Sequence, residues 1–353
     1  MAVQLEQIIK RFPELLQLQQ GSPATPIERL QAGHLATASE MIFVSDAKHL
    51  NDAKRGGSQI WVVQTKLLES MPKPWPEAVV ASPNPYLAMA WIGKAFFPSR
   101  PGITPVDGIE KHPSAVISSS AKLGKNIKIG PGVVISDGVE LADEVIIGAN
   151  SVIEPFVKIG ARTHIHPLVF IGHSCEIGSD CEIKPHSTIG GEGFGFAHDQ
   201  KGQHHHITHY GRVIIEDRVH IGASVQIDRG TFDDSRIGEG TKLDNHSHFG
   251  HNIRIGKNSI LVGGQLFAGS VSVGSNCIFG GRISSQGHLS ITDNVHLMGL
   301  SAISKDIDKP GKYGGLPLQT VMDEQRTRAI LPLLPKMKKQ LTRILKKLEM
   351  DDE

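Results

Sequence analysis

The chain has few cysteines, no surplus of charge of either sign and no long apolar run, and each shortage excludes a class of protein. Three cysteines in 353 residues, Cys175, Cys181 and Cys277, are too few and odd in number for a disulfide framework. Cys175 and Cys181 occupy equivalent places, six residues apart, in the repeat described below, where small side chains fit, so structural thiols are expected. Basic residues number 37 and acidic residues 36, a balance that gives no global field for nucleic acid or for strong membrane attraction. No stretch approaches the length of a transmembrane helix. Residues 1–11 carry a helical apolar pattern with charges and no signal-peptide core, so a cytoplasmic protein is expected.

What the chain does have is a period of six. Thirteen aliphatic residues recur at every sixth position from Ile117 to Ile189, often followed by glycine, as in Ile129-Gly130, Ile147-Gly148 and Ile171-Gly172. Neither an α-helix nor an alternating strand has that period. A strict hexad predicts a parallel β-helix in which each hexad forms one face of a triangular prism and three close a turn. Such hexads wind left-handed, an exception to the right-handed crossover rule. The pattern resumes at Ile215, Ile221 and Ile227, then at Ile237, and runs to Ile303 with Ser285 as its one polar lapse. Roughly 28 hexads give about nine coils and a prism on the order of 45 Å long. The two phase breaks predict loops that leave the prism, around residues 190–211 and at residues 229–234, and loops on a rigid solenoid are where binding usually sits.

Three regions follow. Residues 1–105 lack hexads and read as a small α/β domain. A helix is expected over Leu5–Leu16, broken at Pro13, with strands at Met41–Val44, Ile60–Val63 and Ala78–Ala81 and a helix at Tyr86–Phe96. The proline-rich stretch Phe97–Pro105 reads as a linker. The prism is expected over 106–307. Residues 308–353 form a helical extension in which Ile330, Leu334, Met337, Leu341, Ile344 and Leu348 step by 4, 3, 4, 3 and 4, the spacing of a coiled-coil seam. Pro332 and Pro335 break its first part, so the regular helix should begin near Pro335. Flat prism faces together with a heptad seam predict a homotrimer. The helix's other face carries Lys336, Lys339 and Arg343, which reads as a solvated surface or as a docking site for an acidic carrier protein.

Histidine is abundant, with 18 residues, and most cannot be catalytic. His204, His205, His206 and His209 cluster in the first excursion; loop histidines are more often solvated than metal-bound, and no metal is expected. His164, His166, His173 and His186 follow prism corners and read as structural or interfacial. Asp244 and His251 are seven apart, which places them on neighbouring faces near one corner. A carboxylate there could fix the imidazole's tautomer and raise its basicity, as a general base requires. On spacing alone, a corner histidine bonded to backbone is an equal reading.

Gly191-Glu192-Gly193-Phe194-Gly195-Phe196, then Gly211-Arg212-Val213-Ile214-Ile215, Ile227-Asp228-Arg229-Gly230, Asp233-Asp234, Asp244-Asn245 and Gly250-His251-Asn252 occur in an order and spacing that resemble the UDP-3-O-(3-hydroxyacyl)glucosamine N-acyltransferases of lipid A biosynthesis. The likeness extends to Asn84-Pro85-Tyr86-Leu87, to Gly287-His288 and to Gly315-Leu316-Pro317-Leu318-Gln319, and so covers essentially the whole chain. The resemblance implies transfer of a 3-hydroxyacyl group from an acyl carrier protein thioester to the 2-amine of a UDP-3-O-acylglucosamine, without acyl-enzyme or cofactor. It implies His251 as general base, Asp244 as its orienting partner, the Gly269 N–H as oxyanion donor, and His288 and Asn245 on the substrate. It is consistent with a cytoplasmic enzyme and leaves room for association with the inner face of the inner membrane.

The departures from that family are specific. Its uridine-binding stretch reads Phe-x-x-Asn-x-Lys-Tyr; here Phe43 and Lys48 remain, while Asp46 replaces the amide and His49 the stacking tyrosine. An imidazole stacks with less area, and a carboxylate cannot donate to a carbonyl, so weaker uridine binding is expected. His246 and His248 lie close before His251, so His248 is a rival base. Leu300 and Ala302 stand where the family places methionines that contact the acyl chain; being smaller, they should deepen the groove and admit a longer chain. Four alternatives remain: the related O-acyltransferase of UDP-N-acetylglucosamine, a sugar-nucleotide N-acetyltransferase using acetyl-CoA, a prism metalloenzyme built on His246, His248 and His251, and a catalytically weakened paralogue acting as a binding trimer.

Overall fold

The computed structural model describes residues 2–71, 73–98, 110–315 and 321–348, in two compact units, 1–102 and 103–353. Residues 99–105 of the expected linker and residues 316–319 of the family-like Gly315–Gln319 stretch lie outside the described residues.

In the first unit the helix spans Leu5–Arg11 and stops before Pro13, whose ring cannot continue it. The strands Glu40–Val44, Ile60–Gln64 and Ala78–Ser82 and the helix Pro85–Phe96 lie where the pattern places them. The three strands run parallel, joined at one edge by Arg29–Leu30 and at the other by the antiparallel Gln17–Gln20. Their near-continuous apolar runs are buried on both faces, as a central parallel sheet requires. The short helix Ala47–Ala53, which the periodicity did not reveal, begins at Asp46.

The second unit is a parallel β-helix. Its faces are sheets of ten, ten and nine strands, most of them two residues long, each pairing with the strand 18 residues on wherever no loop intervenes. Every expected hexad supplies a strand, and one more, Gly311–Tyr313, pairs with Val295–Leu297 and carries its sheet past residue 307. The second residue of nearly every pair points inward. The residue two before it is mostly buried as well, and valine, serine, threonine and cysteine fill most of those places, with isoleucine at 127, 253 and 283 and glutamine at 265. Buried hydroxyls there are satisfied by corner carbonyls, as in Ser151 to His166 (2.9 Å), Thr163 to Gly178 (2.7 Å) and Ser187 to Gly222 (2.8 Å). Burial pushes the thiols of Cys175 and Cys181 up to about 11, which makes them inert packing groups. Each buried aliphatic side chain contributes about 1.5–3 kcal/mol, and each coil depends on its neighbours.

Toward the C-terminal end of the prism the interior turns aromatic: Phe249 and Phe267 stack at 5.7 Å, and Phe267 and Phe279 at 6.1 Å. Ser285, the polar lapse, is in register with Phe267, so a small residue follows two large ones. Both predicted loops leave the prism, and the first folds into a hairpin pairing Phe196–His198 with His204–His206. The C-terminal segment is helical over Val321–Ile330, turns at Leu331–Leu333, and resumes at Leu334–Lys347 with proline in its first turn. Among the described residues no helix is long and apolar enough to cross a membrane.

Candidate functional site

One face of the prism carries a ladder in which Gln226, His248, Leu266, Ser284 and Ala302 stand in register on successive coils. His251 follows the His248–Phe249 strand by two residues, at the turn before the corner residue Asn252, whose φ is 59°. A pocket of about 430 Å³ opens here, lined by Phe194, Asp228, His248, His251, Leu266 and Ser284 among others.

The orientation of His251 is set by its neighbour in sequence. Its Nδ1 lies 3.0 Å from Asn252 Oδ1, and that same oxygen accepts the Thr231 N–H at 3.1 Å. Because Oδ1 is the acceptor, Nδ1 carries the proton and Nε2 holds the free lone pair, the form a general base needs. The ring lies against Gly269, where a Cβ would come 2.6 Å from Cε1 and overlap Nε2. The Gly269 carbonyl accepts from the His288 N–H at 3.1 Å, while its own N–H has no acceptor among the described residues.

Several expected residues stand elsewhere. Asp244 does not orient His251 within the chain. Its two oxygens accept the N–H groups of Asn245 (2.7 Å) and Gly263 (2.9 Å), so the carboxylate ties its own turn to the next coil. Seven residues do separate neighbouring faces, but backbone donors of its own turn and of the next coil claim the charge. The carboxylate in this pocket is Asp228, whose Oδ2 is 3.8 Å from His248 Nε2; burial raises its pKa, against the pull of His248 and His251. Asn245 likewise serves the prism, its Oδ1 accepting the Ala223 N–H at 2.7 Å. His288 is an exposed corner residue with φ 59°, held to the site through Gly269. His246, also at a corner, points away into solvent, and His246, His248 and His251 do not gather donor atoms around one point in the chain. His248 shares the pocket with His251, so distance alone does not rank the two.

Three residues of this site carried no role in the sequence reading. Phe194, 85% exposed, reaches the pocket from the excursion. His209 is buried, with its ring edge-on to His251 at 5.4 Å, and burial lowers its pKa. Arg229 is buried and donates to the carbonyls of Gly190 (2.9 Å), His173 (3.3 Å) and Gly211 (3.4 Å), clamping the two ends of the excursion together. The phase break and the Asp228-Arg229 pair were the signals available for them.

Leu300 and Ala302 line a separate groove of about 740 Å³ with Tyr313, at the C-terminal end of the prism. Lys336, Lys339 and Arg343 are exposed on the last helix, and its apolar face, Leu334, Met337, Leu341 and Ile344, is exposed too.

In the first unit, Phe43 is half-buried against the sheet core. Asp46 caps the helix Ala47–Ala53, accepting the His49 N–H at 2.9 Å and pairing with His49 Nδ1 at 2.8 Å. His49 Nε2 lies 3.3 Å from the hydroxyl of Tyr86, which follows the parallel strand Ala78–Ser82. Both motifs thus meet beyond the carboxyl ends of parallel strands, the usual place for a ligand.

The bacterial transferase hexapeptide (six repeats) family model matches residues 112–155 and 156–191. The UDP-3-O-acylglucosamine N-acyltransferase of Methylococcus capsulatus is 33% identical over 347 residues, covering 98% of each chain, and that of Coxiella burnetii is 34% identical over 346 residues, covering 93% of each. The enzyme of the same name from Pseudomonas syringae pv. tomato is 36% identical over 268 residues, 76% of this chain and 75% of the relative. The solved structure of Arabidopsis UDP-N-acetylglucosamine acyltransferase shares the fold, with a TM-score of 0.53 at 23% identity over 58% of this chain and 71% of that one. A match this even along the whole length decides the family: the chain belongs to the UDP-3-O-acylglucosamine N-acyltransferases.

Proposed function

We propose that this chain transfers a 3-hydroxyacyl group from an acyl carrier protein thioester to the 2-amine of UDP-3-O-(3-hydroxyacyl)glucosamine, in the cytoplasm, as a homotrimer engaged in lipid A assembly. The observation that carries the reading is the His251 imidazole, with Nδ1–H turned to Asn252 and Nε2 left as the base, inside a chain aligned to the family over nearly its full length.

The amine nitrogen attacks the thioester carbonyl while Nε2 of His251 takes its proton. The Gly269 N–H, which has no acceptor among the described residues, donates to the oxyanion. Collapse breaks the carbon–sulfur bond, and the imidazolium returns the proton to the leaving thiolate. A positioned base is worth about 10²–10⁴ in rate and one oxyanion donor about 10²–10³. Asp228 supports the imidazolium electrostatically, and His288 positions Gly269 through its N–H. In the first unit Phe43 and His49 would bear on uracil, with Asp46 fixing the loop that holds His49.

The unpartnered apolar face of the last helix supports trimer assembly, since a heptad seam left in water is unfavourable. Its basic face, Lys336, Lys339 and Arg343, would steer an acidic carrier.

The test is N-acyl transfer from a 3-hydroxyacyl carrier protein series, with wild type, His251→Ala and His248→Ala compared. Activity in wild type, lost by two or more decades in His251→Ala and retained within about tenfold in His248→Ala, is the expected result. A second reading is favoured by the Asp46–His49 pair, which satisfies itself: absence of transfer at every acyl length would identify a binding trimer with lost uridine affinity.

A further inference from the structure

The histidine-rich hairpin poses a problem of its own. His209 is 4% exposed, yet neither ring nitrogen has a hydrogen-bond partner among the described residues. A buried imidazole without partners is costly, and native structures seldom leave one so. The ring is held tightly: a Cβ on Gly193 would come 2.8 Å from His209 Nε2, and one on Gly195 2.8 Å from Cε1, so only glycine fits on either side. Two polar groups face it. One donor atom from each of Glu192, His206 and His209 lies within 4.8 Å of the others, with His206 Nε2 3.8 Å from Glu192 Oε1.

We propose that Glu192, His206 and His209 form a site for one divalent transition-metal ion of the zinc class, which fastens the excursion hairpin down beside His251. Two imidazoles and a carboxylate are a zinc-type donor set, with a fourth position left for water. Imidazole selects zinc, cobalt or nickel over magnesium and calcium. Bonds of about 2.0–2.2 Å require the donors to close in slightly, and Glu192 and His206 are exposed enough to turn. His209, fixed by its glycines, is the preformed ligand.

A second gathering of donors, His164, His166 and Glu182, also holds a buried ring nitrogen without a partner among the described residues, His164 Nε2, but its carboxylate is taken. Glu182 is already bonded to His166 and to the ammonium of Lys184, a cation that opposes a metal ion. Among the described residues no lysine or arginine is bonded to Glu192; it accepts the His209 N–H at 3.1 Å and pairs with His206. The consequence of occupancy follows from the chain path. Phe194, which reaches the His251 pocket, lies between Glu192 and His206, so an ion joining these two holds the segment that carries it. The inference concerns the fold of the excursion and does not require that the chain be an active transferase.

The test uses the full chain, stripped by chelator and titrated with Co²⁺ as a visible-absorbing probe, then with Zn²⁺ in competition. The expected result is saturable binding of one Co²⁺ per chain, displaced by Zn²⁺, and weakened by about tenfold or more in His206→Ala and in Glu192→Gln. His204→Ala and His205→Ala, exposed positions on the same strand, should bind as wild type does. Hydrogen exchange over residues 196–206 should slow on metal addition in wild type and not in His206→Ala. Both ligand substitutions are at exposed positions, so loss of the fold does not confuse the reading. Binding that does not saturate, or that falls as much in His204→Ala as in His206→Ala, overturns the proposal in favour of adventitious capture by the histidine run.

Discussion

The imidazole of His251 fills the space that a side chain on Gly269 would need. The three nearest atoms to a Cβ at position 269 are all in that ring, and no backbone is among them. Gly269→Ala therefore leaves the prism folded and pushes the base aside, because the ring is the part that can move. Transfer should fall about 10²-fold or more in kcat with little change in thermal midpoint. A Gly269→Ala protein with near-wild-type kcat would mean that His251 is not the base.

Asp228 and Asp244 should separate cleanly. Asp228→Asn removes the charge beside His248 and His251 and is expected to lower kcat about 10- to 100-fold. Burial holds the Asp228 pKa above the usual carboxylate range, so on acidification wild type loses this charge sooner than it would lose an exposed aspartate's. The acid limb of the kcat profile should accordingly be shallower in Asp228→Asn. Asp244→Asn keeps one acceptor of two and should cost about 1 kcal/mol in urea unfolding with a smaller loss of kcat. The reverse ranking in kcat would restore Asp244 as the partner of the base.

Arg229→Met tests the clamp on the excursion. The substitution strips three carbonyls, at Gly190, His173 and Gly211, of a charged donor in a buried place. A loss of about 3 kcal/mol is expected. Limited proteolysis should then cut within residues 190–211 faster than in wild type. Unchanged cleavage with unchanged stability would show that the loop ends are held by other means.

Glu182 should make stability depend on acid. Its hydrogen bond to His166, with further help from Lys184, lowers its pKa from 4.5 to about 2 in spite of partial burial. A carboxylate lowered on folding contributes stability that is full above its unfolded value and is lost as pH falls through the folded one. The window is therefore between about pH 4.5 and 2. Allowing for solvent screening of a half-exposed pair, the contribution is on the order of 1 kcal/mol. Glu182→Gln should flatten the unfolding free energy across that window relative to wild type, and parallel curves would exclude the assignment.

How much of this was legible in the sequence depends on range. The prism was readable because a hexad repeats its instruction at every turn: Ile147 says the same thing as Ile153. Pro13 and Pro335 marked helix limits for equally local reasons. Asp244 misled because spacing fixes which face a residue occupies and not which donor lies nearest; the Gly263 N–H one coil away was invisible from position 244. His209 was read with the solvated histidines since nothing in a run of imidazoles tells which one the neighbouring glycines will bury. Asp46 looked like a damaged uridine contact, and its capping of Ala47–Ala53 emerged only once the short helix was seen.

The ladder His248, Leu266, Ser284 and Ala302 suggests where acyl length is measured. Successive coils stack at about 4.8 Å, so Ala302 stands about 14 Å along the face from His248. Beyond Leu266 the track is lined by small side chains, and Leu300 and Ala302 open into the groove with Tyr313. A chain laid along this track would pass Ala302 without hindrance, which is the basis for expecting a long acyl group. Ala302→Met would close the track at that coil. Each methylene excluded from an apolar groove costs about 0.8 kcal/mol, close to fourfold, so exclusion of two costs about fifteenfold in kcat/KM. Competition between 3-hydroxyacyl carrier proteins of different length should then show wild type favouring the longer chain and Ala302→Met reversing the preference, with total activity on the shorter chain retained. If wild type already prefers the shortest chain, or if Ala302→Met leaves the ratio unchanged, the acyl group takes another path and the small residues at 300 and 302 have no bearing on length.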